Sequence, residues 1–151
     1  MAGEPVDFNI GKYHCDEMIG SGGMANVYRA TDTESKSTVA VKVLHRILDS
    51  KERERFRKEA GSLALLQHPG IVKTYASDLQ GLDNYLVMEY LDGPTLRGQL
   101  DEFIDRDEHV PIPEVRRIAQ ALFDALRYAH GNDVVHRDIK PTNIILGSVQ
   151  K

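Results

Sequence analysis

Between Tyr13 and Lys42 the apolar positions come in short bursts rich in Val, Tyr and Thr: YHCDEMIG, NVYRATD and STVAVKV. Such residues suit a pleated, half-buried surface, and runs of this length bounded by turn residues predict strands. GSGGMA separates the first two and is too flexible for a strand interior, while TESKS supplies the next turn. An antiparallel meander is the expectation. Residues 1–11, polar and interrupted by Pro5 and Gly11, read as a short leader instead.

From Asp49 the period changes. Phe56, Ala60, Leu63 and Leu66 recur at helical spacing in KERERFRKEAGSLALLQ, which is charged early and apolar late. Asp49 or Ser50 can cap a helix over 49–67, Gly61 weakens it, and HPG at 68–70 ends it. IVKTYASDL and NYLVMEYL then read as two more strands, and the unbroken Leu86-Val87-Met88 predicts one covered on both faces. At Asp92-Gly93-Pro94 the texture turns from strand to mainly helix. A short helix is expected over 95–105. A longer one begins near Pro113, a favoured first-turn residue, and runs to His130 with Gly131 just past its end. Val115, Ile118, Leu122, Ala125 and Ala129 form its apolar face. Val134-Val135 leads into HRDIKPTN, and IIL leaves it as another short strand.

Composition changes this picture little. With 41% hydrophobic and 28% charged residues, 151 positions suffice for one core or for part of a larger domain. A net charge of −4 offers no broad basic field to nucleic acid or anionic lipid. The single cysteine, Cys15, excludes an internal disulfide and a Cys-rich metal site, and it reads as a small packing residue. MAGEPVDFNI lacks the basic start and apolar run of a secretory signal, and no segment approaches the ~20 apolar residues that cross a bilayer. A reducing, cytoplasmic setting is expected.

Three segments carry candidate chemistry. Gly20, Gly22 and Gly23 lie between two predicted strands, where glycine lets a backbone approach a polyphosphate; a flexible hairpin tip is the bland alternative. Dinucleotide and Walker-type sites need a helix next, so the strand context argues against both. Val27, just past the loop, offers a branched apolar surface to a flat base. Lys42 ends an apolar strand and is either an edge lysine reaching water or an ammonium held by a carboxylate. Glu59 falls near the apolar stripe of its helix and faces inward. HRDIKPTN is the strongest signal: an aspartate to take a hydroxyl proton, a lysine to neutralise a phosphoryl group, and an asparagine oxygen for a hard cation.

GSGGMANV, VAVK, the glutamate of FRKEA, MEYLDG and HRDIKPTN, in that order, resemble eukaryotic-type (Hanks-type) serine/threonine protein kinases over residues 13–151, with wording similar to bacterial members. The resemblance implies an α+β, protein-kinase-like fold. Its parts would be a leader over 1–12, a five-stranded antiparallel N-lobe with one helix over 13–92, and the first, mainly helical part of the C-lobe over 93–151. It implies that Lys42 binds the α/β-phosphates of ATP and pairs with Glu59. Asp138 would be the catalytic base, Lys140 a γ-phosphate contact and Asn143 a Mg²⁺ ligand. Further nucleotide contacts implied are Ile19, Gly20, Ser21, Gly22, Gly23, Val27, Ala40, Met88, Glu89, Leu91 and Leu146. Met88 would back the adenine pocket, and Glu89 to Leu91 would be the hinge. Lys140 followed by Pro141 resembles the serine/threonine-specific class. Two features depart from the pattern. Ala25 replaces the loop's third glycine, and the Asp-Phe-Gly motif, expected within a few residues of VQK, does not precede Lys151.

Three functions compete on this basis: a protein kinase cut before that motif, a kinase-like module that binds nucleotide or a partner without catalysis, and a scaffold that has lost nucleotide. The costly polar set Lys42, Glu59, Asp138 and Asn143 weighs against the scaffold. Expected partners are ATP and a protein bearing Ser or Thr, with no nucleic acid and no membrane in this segment. Little phosphoryl transfer is expected from these residues alone. The apolar face of the long helix, without the rest of its lobe, is expected to favour self-association.

Overall fold

A computed structural model describes residues 3–45, 50–79 and 84–147, except for the side chains at positions 52, 53, 55, 56, 59 and 63. Six strands, β1 (Glu4–Ile10), β2 (Tyr13–Ser21), β3 (Ala25–Asp32), β4 (Thr38–Leu44), β5 (Thr74–Asp78) and β6 (Tyr85–Glu89), form one antiparallel sheet in the order β1-β2-β3-β4-β6-β5. That is one strand more than expected. The segment read as a leader is β1, which pairs with β2 from Glu4↔Met18 to Ile10↔Tyr13. Val6 and Ile10 pack into the core, and Phe8 meets Tyr28 edge-on with ring centroids 5.0 Å apart. Pro5 seemed to forbid a strand, but an edge strand tolerates a residue without an N–H. Gly11 makes the following turn at φ +55, where an added Cβ would stand 2.7 Å from the Tyr85 hydroxyl.

The sheet buries both faces. On one, Ile10, Tyr13, Cys15, Ala30, Val39, Val41 and Val87 form a core cluster; on the other, Ala25, Leu44 and Leu86 pack with Ala60. Ala60 belongs to α1 (Ser50–Leu63), which ends short of the expected residue 67. Leu66 is buried but lies beyond the helix, while Asp49 and the side chains of Phe56 and Leu63 lie outside the described residues. Leu86 and Val87 are both buried, one in each cluster, as a strand covered on both faces requires. Burial pushes the Cys15 thiol up to about 11, so it stays protonated and serves packing.

Contacts divide the chain into two compact units, Met1–Leu65 with Val72–Tyr90, and Leu66–Ile71 with Leu91–Lys151. The second unit holds α2 (Leu96–Asp105) and α3 (Ile112–Gly131). Thr95 caps α2, its hydroxyl oxygen accepting from the Gly98 N–H at 3.1 Å. Helix α3 buries Ala125 and Ala129, and the segment before Ile71 packs against it. The Gln67 N–H donates to the Tyr128 hydroxyl at 3.3 Å, and the His68 ring lies 5.1 Å from that of Tyr128. The helix ends one residue later than expected, and Gly131 is its last residue rather than the residue past it. The left-handed position is Asp133, φ 60, whose N–H bonds His130 while the Val134 N–H bonds Ala129. That double return satisfies the last carbonyls, and aspartate tolerates the conformation better than most residues. Among the described residues no helix is long and apolar enough to cross a membrane.

Candidate active site

In the first unit, strand register decides which of the predicted residues share a surface. Val27, Lys42 and Leu86 stand opposite one another across three strands, as do Ala40 and Met88 across two. Partners in register project to one face, here the face covered by α1. Strand β4 is interior, so Lys42 is no edge lysine; it is half-buried between Val27 and Leu86. The side chain of Glu59, and with it the expected pairing to Lys42, lies outside the described residues. At the end of β6 the Glu89 N–H donates to the Lys73 carbonyl at 2.8 Å, so this donor is spent within the sheet.

The glycine loop is the turn between β2 and β3. Gly22 N–H donates to the Ala25 carbonyl at 3.0 Å, and the Ser21 hydroxyl donates to Asn26 Oδ1 at 3.0 Å. A bulge between Met18 and Gly20 turns Ile19 out, leaving it 41% exposed. Ala25, at the place of a third glycine, is buried in register with Leu44, so its methyl group serves the core. Sequence reasoning missed His45, which no motif marks. Its backbone N–H donates to the Met24 carbonyl at 3.0 Å, and its Nε2 lies 2.9 Å from the Gly22 carbonyl oxygen.

Gly20, Gly22 and Gly23 have no positive φ, and a Cβ on any of them would meet nothing closer than 3.4 Å. The fold therefore accepts alanine at all three. Glycine gains an advantage there only where something outside the fold must come closer than a Cβ allows. Gly93 is the opposite case, because its Cβ would stand 2.8 Å from the Gly147 Cα.

In the second unit HRDIKPTN forms an exposed loop ending in a 3₁₀ turn, Pro141–Asn143. The Asp138 carboxylate accepts from Lys140 Nζ at 2.9 Å and from Asn143 Nδ2 at 3.0 Å. The same amide donates to the Asp138 carbonyl at 2.9 Å, and the Asp138 N–H reaches His136 Nδ1 at 3.3 Å. The Lys140 ammonium, and then the Asn143 amide, hold the Asp138 carboxyl below the usual carboxylate range. Arg137 sits at φ 62, an uncommon conformation for a residue with a Cβ, and the neighbouring contacts must offset its strain. Beyond the loop IIL forms no strand: Ile145 makes a single bridge to Thr95, flanked by Leu96 N–H to Ile144 at 2.7 Å and Leu146 N–H to Pro94 at 2.8 Å. Leu146 is thereby fixed at the start of α2. Leu91 belongs to this unit as well.

A hard divalent cation needs oxygen donors. The Asn143 amide nitrogen is committed to Asp138, which leaves the amide oxygen as the group's free donor beside a carboxylate. Among the described residues no set of three or more His, Cys, Asp or Glu could hold a metal alone. The Asn143 amide oxygen fits as one ligand of a Mg²⁺ that takes its others from water and substrate phosphate, the usual habit of that ion.

The protein kinase domain family matches residues 13–151. A probable serine/threonine-protein kinase of Streptomyces coelicolor is 41% identical over 142 residues, covering 90% of this chain and 20% of that protein. Serine/threonine-protein kinase PrkC of Bacillus subtilis is 41% identical over 140 residues, covering 90% and 21% respectively. The chain thus spans about a fifth of the length of these curated relatives. Among solved structures, the kinase domain of Mycobacterium tuberculosis PknI superposes with a TM-score of 0.77 at 30% identity, covering 93% of this chain and 57% of that one. A family match that takes in the glycine loop, the lysine of β4 and the Asp138 loop in order leaves one assignment: this chain belongs to the protein kinase domain family.

Proposed function

We propose that the chain supplies the ATP-binding and catalytic-loop portion of a cytoplasmic serine/threonine protein kinase. The observation that carries this reading is the exposed cluster around Asp138, one carboxylate gripped by an ammonium and an amide whose oxygen is left for a cation. Kinases of this family use ATP and a divalent metal. The glycine loop supports the same reading, since its glycines answer no need of the fold. Val27, Ala40 and Met88 offer an apolar face for adenine, with Ile19 as a further apolar contact and the hinge backbone after Glu89 as polar partner. Gly20 to Gly23 and Lys42 take the phosphates. Lys42 and Glu59 act as a pair that holds the α/β-phosphates.

In the transfer itself the substrate hydroxyl oxygen bonds to the γ-phosphorus as the bond from that phosphorus to the bridging oxygen of ADP breaks. Asp138 accepts the hydroxyl hydrogen bond, orients the oxygen and receives its proton. A carboxylate of lowered pKa is a weak base, so orientation is its larger part and the proton arrives late. Lys140 turns from Asp138 to the transferring phosphoryl group. Asn143, through its amide oxygen, would be this chain's ligand to Mg²⁺, which neutralises charge on the phosphate oxygens when bound.

Titration of the chain with ATP-Mg²⁺ by calorimetry tests the reading. Saturable binding that falls about tenfold or more in Lys42→Ala is expected. Identical blank titrations for both proteins would leave the module reading without its nucleotide and the kinase reading without support. A second property belongs with the first. Ile112, Val115 and Phe123 on α3 are 71%, 46% and 67% exposed, and apolar surface of this kind favours self-association.

A further inference from the structure

The glycine loop carries a restraint that none of its own residues supplies. A carbonyl oxygen only accepts, so the 2.9 Å contact from His45 to Gly22 requires a proton on Nε2. His45 thus grips the loop twice, through its ring to Gly22 and through its backbone to Met24. The Gly22 N–H is spent on Ala25. A trans peptide is planar, so the N–H of Gly23 points opposite to the Gly22 carbonyl that His45 holds. Around Gly23 there is open space, with nothing within 4 Å of an added Cβ. His45 also lies on the chain immediately after β4, three positions beyond Lys42.

We infer that His45 is a positioning residue for the nucleotide phosphates: by fixing the Gly22 peptide plane it turns the Gly23 N–H outward as a preset donor to a phosphate oxygen. The inference rests on the reading of this loop as a phosphate site. Without the ring, the Gly22 peptide is free to rotate, and the donor must be oriented at the moment of binding. Glutamine places an amide N–H near the position of Nε2 and preserves the bond.

NMR titrations of the full chain with ATP-Mg²⁺ and with adenosine separate the contributions. His45→Ala is expected to weaken ATP binding about fivefold, the worth of one neutral hydrogen bond, while adenosine binding stays unchanged. His45→Gln is expected to restore most of the loss, and His45→Leu none of it. Equal ATP affinity in wild type and His45→Ala would overturn the inference alone, as would an equal loss for ATP and adenosine or a failure of glutamine to rescue. Absence of ATP binding in the unmodified chain would overturn the phosphate reading itself, and this inference with it.

Discussion

Asp138 owes its acidity to two neighbours, Lys140 and Asn143, and each can be removed singly. A carbon-detected NMR titration should place its midpoint below the ordinary value of about 3.9, and Lys140→Ala should move it up. The linkage has a definite sign. A carboxyl depressed in the folded state contributes stability above its unfolded pKa and loses it as pH falls through the folded one. Lys140→Ala should therefore reduce the stability lost between neutral pH and a pH of about 3, and an unchanged midpoint would show that the ammonium does not act on Asp138 in solution. The glycines divide in the same residue-by-residue way. Gly20→Ala and Gly22→Ala should change stability by no more than about 0.5 kcal/mol, because the fold has room for the methyl group. Gly11→Ala and Gly93→Ala should each cost about 1–3 kcal/mol, one through its φ and both through close contacts. ATP affinity should show the reverse order, with losses at positions 20 and 22. Stability losses at all four would make the loop glycines structural.

At the scale of elements, β1 is the clearest departure from expectation. Its residues alternate correctly, yet Pro5 and Gly11 made the segment look like loose chain. Proline matters only where a ladder bond is needed, and whether a strand is at an edge is decided by the strands beside it. Ile10 is 5% exposed in the main core. Ile10→Ala should therefore lower unfolding stability by about 2–4 kcal/mol in a denaturant titration. A change of about 0.5 kcal/mol or less, normal for an exposed leader residue, would remove β1 from the core. The helix ends teach a related lesson. Gly131 seemed to stop α3, but a Cβ there would touch nothing, and Asp133 takes the left-handed turn instead.

For the molecule as a whole, the two units bury unequal amounts of what they carry. The sheet covers both its faces, whereas α3 buries only Ala125 and Ala129 and leaves Phe123 in solvent. Light scattering over a wide concentration range should show self-association of this chain, reduced by Phe123→Glu. A monomer at every concentration would mean that this face needs no cover. The chain covers about a fifth of the length of its curated relatives.

Sequence alone determined the family, the order of the motifs and the type of nearly every element, because β-branched runs, helical spacing and HRDIKPTN depend on near neighbours in the chain. Tertiary structure decided the rest. Which residues of β3, β4 and β6 share a face follows from register, β1 exists because β2 offers an edge, and His45 reaches Gly22 across 23 positions of sequence. Contacts at such separation leave no periodic trace along the chain, since each is fixed only when the sheet closes and brings its partners together.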